Sequence, residues 1–317
     1  MVGERVHRRT YSVDVAAPAG VVYGLIADTT QWPLFLTSTI HVERLDFDGV
    51  RDRFHTWAEV NGSVKSWLSH RTLDAGARRI DFHQEAPAGP APSLGGRWTV
   101  EATAPDRSRL VLDHELTVAD TRPEDTARML QATDTTSTTE LDRLKATAER
   151  WDRLDALLLS FEESVHVKGP AELVYDFLCG IADWPGRVPH VLRAEVTEEQ
   201  PGVQVVRTET RSAGGPVRTA ETVRICFPHA FRIVSKETTP GEPLQAHTTE
   251  WSVLPDENDV TVCAQHQVLL HEDPRTRTGT AAARAHVRDL LGGQSNTVLN
   301  LAKRHAETAI RTLRTGS

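Results

Sequence analysis

Apolar side chains recur along this chain in two rhythms. In the stretch 108–118, Leu110, Leu112, His114, Leu116 and Val118 share one face, while Val111, Asp113, Glu115 and Thr117 share the other. That alternation is the signature of a half-buried strand. Val260, Val262, Ala264, His266, Val268 and Leu270 repeat it. A three-to-four-residue spacing joins Leu141, Leu144, Ala148, Trp151, Leu154 and Leu158, and later Leu299, Ala302, Ala306, Ile310 and Leu313. These predict two long helices. Val21, Val22, Leu25 and Ile26 predict a short helix, as do Leu173, Val174, Phe177 and Leu178. The first is expected to end near Trp32-Pro33, because the residue before proline disfavours helical geometry. Further strands are predicted at 11–15, 40–47, 53–60, 63–72, 78–85 and 96–103, separated by Asp/Gly/Pro turns.

The same landmarks occur twice. Tyr23 and Tyr175, Trp32-Pro33 and Trp184-Pro185, and His114 and His266 are each 152 residues apart. Val64–Arg71 lies over Val217–Arg224, and Trp98 over Trp251, at 153. So long a period implies duplication of a whole domain, not a solenoid. The expected domains are 1–160 and 161–317. Each reads as strand, helix, antiparallel strands and long helix, an α+β pattern in which a curved sheet wraps around the last helix.

Net charge is −8 over 317 residues, which argues against nucleic acid as a partner. From Arg275 onwards, however, eight Lys/Arg face two acids, a local +6. This is either the solvated face of a helix or a docking surface. Cys179, Cys226 and Cys263 are odd in number and widely spaced, which fits a reducing cytoplasm. No apolar run approaches a membrane span, and no signal peptide is expected. There is no phosphate-binding loop, dinucleotide fingerprint or metal-ligand spacing, so no cofactor or metal is implied.

Parity points His114 and His266 into two apolar interiors. Trp67, Ser69 and Arg71 share one face of their strand, and Ala220, Thr222 and Arg224 the same face in the second copy. Periodicity does not say which face is inward, since Ser66, Leu68 and His70 are mixed as well. An inward Arg is costly unless it is paired or meets a wet cavity. Ile80, Phe82 and Gln84 also share a face, as do Trp98, Val100 and Ala102. Tryptophan rings with a few polar groups suit a small-molecule cavity.

Asn61-Gly62-Ser63-Val64-Lys65-Ser66-Trp67-Leu68-Ser69-His70-Arg71 resembles the N-G-x-V-x-x-W-x-S-H-R strand of the di-domain aromatase/cyclases of bacterial type II polyketide synthases. Gln31-Trp32-Pro33, Arg97-Trp98-Thr99 and Thr135–Thr139 fit the same family. The resemblance covers nearly the whole chain. It implies tandem helix-grip domains, similar to START and Bet v 1-like proteins. It also implies that Arg71, Ser69 and Trp67 line a pocket. Thr39 stands near the family's pocket Tyr, Gln84 where a second Arg is found, and Lys65 where another Trp is found. The second copy keeps only Thr222 and Arg224 of the motif.

The resemblance implies cyclisation, dehydration and aromatisation of a ketoreduced poly-β-ketone, received from an acyl carrier protein within the synthase. The main task is then geometric: to fold the chain so that one methylene meets one carbonyl. Arg71 would stabilise enolate charge, Ser69 relay a proton and His114 act as acid or base. Trp32, Trp67, Gln84, Trp98 and Thr39 would bind substrate in the first copy. Thr222, Arg224, Trp251 and His266 would do so in the second. Arg71→Ala is expected to misdirect cyclisation with little loss of folding. A non-catalytic carrier of a hydrophobic molecule, or a scaffold of the synthase, would use the same fold. More uniformly apolar walls would favour the carrier.

Overall fold

A computed structural model of the chain describes residues 4–85, 93–119, 123–211, 215–257, 259–272 and 277–315. Two compact units span Met1–Leu154 and Asp155–Ser317. In the first, β1 (Glu4–Val15) leads into α1 (Ala19–Ala27) and the short α2 (Trp32–Phe35). Six strands follow: β2 (Thr39–Phe47), β3 (Arg51–Val60), β4 (Ser63–Asp74), β5 (Arg79–Gln84), β6 (Ser93–Ala104) and β7 (Arg107–Ala119). The helix α3 (Pro123–Ala148) ends the unit's regular core, before a single-turn α4 (Leu154–Leu157).

The second unit repeats the plan. It runs β8 (Leu158–Val167), α5 (Ala171–Cys179), β9 (Val191–Gln200), β10 (Val203–Arg211), β11 (Val217–Phe227), β12 (Arg232–Glu237), β13 (Leu244–Pro255), β14 (Val260–Leu270) and α6 (Arg277–Thr315). Each sheet has seven antiparallel strands in equivalent order, β1-β7-β6-β5-β4-β3-β2 and β8-β14-β13-β12-β11-β10-β9. The first strand of each unit therefore pairs with the last. The gripped helices bury Leu141, Leu144 and Ala148 in one core, and Leu299, Ala302 and Ala306 in the other. This is the expected pair of helix-grip domains.

Two boundaries differ from expectation. The helical spacing of Leu154 and Leu158 does not extend α3. A 3₁₀ turn at Trp151–Arg153 interrupts it, and Leu158 already belongs to β8. Pro33 does not end α1; it sits in the first turn of α2, where its missing N–H costs nothing.

One turn fixes the register of the site. Asn61 and Gly62 both have positive φ, 53° and 75°, and join β3 to β4. Such a two-residue turn matches the twist of a hairpin. It sets Asp52 opposite Arg71, Phe54 opposite Ser69 and Thr56 opposite Trp67.

Candidate active site

Arg71 and Ser69 are buried, while His70 on the other face of β4 stacks on His83 with ring centroids 4.9 Å apart. Trp67, Ser69 and Arg71 therefore face inward. Arg71 reaches beneath the end of α1. Nη1 donates to the Ile26 carbonyl at 2.9 Å, and Nη2 to the Ala27 carbonyl at 2.8 Å and to the Asp52 carboxylate. The guanidinium packs over the rings of Phe54 (5.0 Å) and Trp32 (5.4 Å). Burial pushes its pKa down, and Asp52 opposes that shift. Arg44 lies 3.6 Å from the other Asp52 oxygen.

Three of the five Arg71 N–H groups are thus committed. Nε is buried without a hydrogen-bond partner among the described residues, and so are Trp32 Nε1 and Thr56 Oγ1. Buried polar atoms are ordinarily satisfied, so this patch holds unused donor capacity beside the rings of Trp32 and Phe54.

A continuous row crosses the inner face of the sheet: Asp52, Arg71, Phe82, Gly96, His114 and Arg9. A Cβ on Gly96 would fall 2.8 Å from the Phe82 ring and 2.1 Å from the Asp113 carbonyl. Only glycine lets Phe82 lean on His114, at 5.7 Å. Tyr11 flanks His114 on the other side, at 5.8 Å. Burial pushes His114 down to about 4, and its Nδ1 has no partner among the described residues. His114 is three strands from Arg71, about 14 Å along the sheet. The two do not converge on one reacting atom.

The gripped helix adds groups that the sequence reading missed. Tyr11 donates to Asp134 at 2.5 Å and also bonds Ser137; burial and Asp134 push it up to about 12. Ser38 donates to Glu140 at 3.4 Å, and burial raises the Glu140 carboxyl to about 7. Glu140 falls on the same face of α3 as Ser137, Leu141 and Leu144, and that position in an apolar stripe was its signal.

The other sequence candidates scatter. Thr39 is buried at the start of β2, and Gln84 stands opposite Ser69. Trp98 and Trp251 sit in solid core, Trp98 between Ile80 and Leu112, Trp251 between Ile233 and Ala264. Inward parity is shared by pocket and core, so alternation does not separate them. A groove of about 650 Å³ is lined by Arg8, Thr10, Asp81, Arg97, Asp113 and Glu115, among others. Most of these positions alternate with the interior ones, but the lining also includes Arg9, Gln84 and His114 of the inward parity, so two of the sequence candidates meet this groove, while Trp67, Ser69 and Arg71 do not line it.

In the second domain Arg224 repeats the Arg71 geometry with a neutral partner. It donates to the carbonyls of Leu178 at 2.6 Å and Cys179 at 3.3 Å, and to Gln204 Oε1 at 2.8 Å. Gln204 occupies the place of Asp52, 152 residues on. The matching row is Gln204, Arg224, Ser235, Thr249, His266 and Phe161. Thr222 is half-buried opposite Glu237. His266 is buried and pushed down to about 3, by burial first and then by His247 and Arg288. Among the described residues no group of three His, Cys, Asp or Glu side chains is placed to hold a metal.

Comparison with known proteins bears on family and fold. Two family models, both described as polyketide cyclase/dehydrase and lipid transport, match the chain, one at residues 15–140 and the other at 159–303. The granaticin polyketide synthase bifunctional cyclase/dehydratase of Streptomyces violaceoruber is 34% identical, over 96% of this chain and 95% of its own. The chain belongs to the polyketide cyclase/dehydrase family. The actinorhodin bifunctional cyclase/dehydratase of Streptomyces coelicolor is 33% identical, over 96% of both chains. The crystal structure of the di-domain aromatase/cyclase BexL, from the BE-7585A biosynthetic pathway, is 36% identical. It covers 95% of this chain and 99% of its own, with a TM-score of 0.84. That of StfQ, from the steffimycin pathway, is 26% identical over 98% and 100%, with a TM-score of 0.81.

Within this cyclase/dehydrase frame Asp52 is the residue that sequence reasoning missed most plainly. It lies outside the motif strand, yet it shares a face with Phe54 and Thr56. A lone acid in a mostly inward stripe, paired by register with an inward Arg, was the available signal.

Proposed function

We propose that the protein directs first-ring aldol cyclisation, dehydration and aromatisation of a ketoreduced poly-β-ketone, delivered by an acyl carrier protein of a type II synthase. The observation that carries this reading is the set of unpaired buried donors at Arg71 Nε and Trp32 Nε1, beside Thr56 Oγ1 and the rings of Trp32, Phe54 and Trp67. Flat rings hold a polyketone chain in one fold, and the fixed donors meet oxygens on which enolate charge develops. Arg71 serves through its free N–H groups and stays protonated, so it is not the base. A passive lipid carrier would leave such donors unsatisfied against an apolar cargo.

The test is reconstitution with a minimal synthase, its carrier and a ketoreductase, followed by product analysis. The wild type should give one ring pattern. Trp67→Ala and Ser69→Ala should give mixed, mis-cyclised products from folded protein. Normal product from both variants would remove this patch from the reaction.

A further inference from the structure

The second domain contains a polar chain that the first lacks. Ser295 of α6 lies 2.8 Å from His266 Nε2. His266 Nδ1 lies 3.0 Å from His247 Nε2, with Thr249 Oγ1 at 3.2 and 3.1 Å from the two nitrogens. His247 Nδ1 faces the Glu237 carboxylate at 3.5 Å, and Arg218 holds that carboxylate from the far side. Three strands and the gripped helix thus contribute to one line of proton carriers.

The helices show what changed between the copies. Ser137 and Ser295 are 158 residues apart, as are Leu141 and Leu299, Leu144 and Ala302, and Ala148 and Ala306. Both serines are buried at equivalent places on the gripped helix. Ser137 bonds Tyr11, and His114 is left between two rings with Nδ1 unpartnered. Phe161 stands at the Arg9 position of the row, and Ser295 turns to the histidine instead. In the first domain the histidine is isolated; in the second it is wired.

The wiring fits a neutral pair of histidines in either of two tautomers. Phe161 stacks on His266 at 4.7 Å, and Arg288 lies over the same Phe161 ring while paired to Glu163. Deep burial and that nearby cation keep His266 neutral, with a single N–H. If that N–H points to Ser295, Nδ1 accepts from His247 Nε2–H. His247 Nδ1 then carries a lone pair and faces the Glu237 carboxylate at 3.5 Å, beyond the range of a strong hydrogen bond. His247 is also the more open member of the histidine pair, half-buried where His266 is buried.

We propose that His247 is the acid–base catalyst of a second active site in domain two, which removes water from a β-hydroxy carbonyl intermediate. His266, Ser295 and Glu237 are positioning residues. This rests on the cyclase reading above, because an aldol closure produces that functional group. The step balances without a redox partner. His247 Nδ1 takes the proton from the carbon between carbonyl and carbinol. The C–H electron pair forms the enolate, which expels the β-hydroxyl as the C=C bond forms. The imidazolium returns its proton to the departing oxygen, and water leaves.

The test uses the full-length protein and a ready-made cyclic β-hydroxy ketone, as an N-acetylcysteamine thioester, with water loss followed by mass and absorbance. His247→Gln should lower kcat for water loss by about 100-fold or more. Ring closure in the reconstituted synthase should persist, with the hydrated ring accumulating. His266→Asn, which can still accept one hydrogen bond, should keep more activity than His266→Leu, with KM unchanged in both. Imidazole should partly rescue His247→Gly. In the wild type, carbethoxylation of His247 should stop water loss, and the probe thioester should protect it.

Wild-type water loss in His247→Gln, or undiminished activity after carbethoxylation of His247, would overturn the proposal. So would equal loss of water elimination and ring closure in every variant, which would mark the network as structural. The probe is already cyclised, so a failure of the ring-closure reading would show only in the synthase assay.

Discussion

Asp52 and Arg71 form an ion pair with both side chains almost wholly out of solvent, 2% exposed for Arg71 and 0% for Asp52. The pair clamps β3 and β4 to the end of α1. Removing one partner strands a buried charge; removing both does not. Arg71→Ala should therefore cost about 3–5 kcal/mol of stability. The Asp52 partner thus gives reason to expect a larger loss of folding than the sequence alone suggested. The paired variant Arg71→Met with Asp52→Leu should lose less than either single change. Urea unfolding of the three proteins checks this, and additive losses would mean that the charges are not coupled.

Arg224 makes the comparison within the same chain. Its side-chain partner is the neutral Gln204. Gln204→Leu should cost about 1–3 kcal/mol, the penalty for an unmet buried donor and less than for Asp52→Leu alone. Equal losses at the two sites would show that the carbonyl contacts, and not the carboxylate, set the cost.

The duplication, both sheets and the gripped helices were legible because periodicity and the constant offset survive in sequence. The inward face of β4 was not, because both of its faces mix polar and apolar residues. Asp52 escaped because its role exists only through register across a hairpin. The network of Ser295, His266, His247 and Glu237 escaped for a stronger reason. Its members come from four elements, and the offset between copies slips from 152 at the strands to 158 at the helix. Parity did place His114 and His266 inward. It said nothing about the neighbours that leave one isolated and wire the other.

Acid should destabilise both domains through these histidines. Folded-state values of about 4 for His114 and about 3 for His266 lie below the ordinary imidazole value of 6.5. Between those limits the unfolded chain binds a proton that the folded chain refuses, so stability falls as pH drops below 6.5. The loss levels off near pH 4 and pH 3, at about 3 and about 5 kcal/mol. His266→Gln should flatten the profile of the second domain, measured by denaturant midpoints between pH 7 and 4. An unchanged slope would show that His266 protonates freely in the fold.

Glu140 should act in the opposite direction. Its folded value of about 7 exceeds the ordinary carboxyl value of 4.5. Its contribution is full below pH 4.5 and is lost as pH rises through 7. Glu140→Gln should then stabilise the first domain at pH 8 by about 1–3 kcal/mol, with little effect at pH 4.5. Destabilisation at pH 8 would mean that the carboxylate is charged and paired in the fold.

The last prediction concerns delivery of substrate. The basic stretch from Arg275 onwards suggested a docking surface for an acidic carrier, but much of its charge is spent inside the domain. Arg284 caps the carbonyls of Asp155, Ala156 and Leu158; Arg288 pairs with Glu163; Lys303 faces Glu307 at 3.9 Å. Arg304 and Arg311 occupy exposed positions on α6, Arg311 with a contact of its own, while the side chain of Arg314 lies outside the described residues. Exposed charges act mainly on encounter rate and are screened by salt. Arg304→Glu with Arg311→Glu should therefore slow turnover of carrier-bound substrate by less than about tenfold, and only at low ionic strength. The effect should appear in kcat/KM, with kcat and the turnover of a free thioester unchanged. If carrier-dependent kcat/KM at low salt matches the wild type, this helix face is merely solvated and the carrier docks elsewhere.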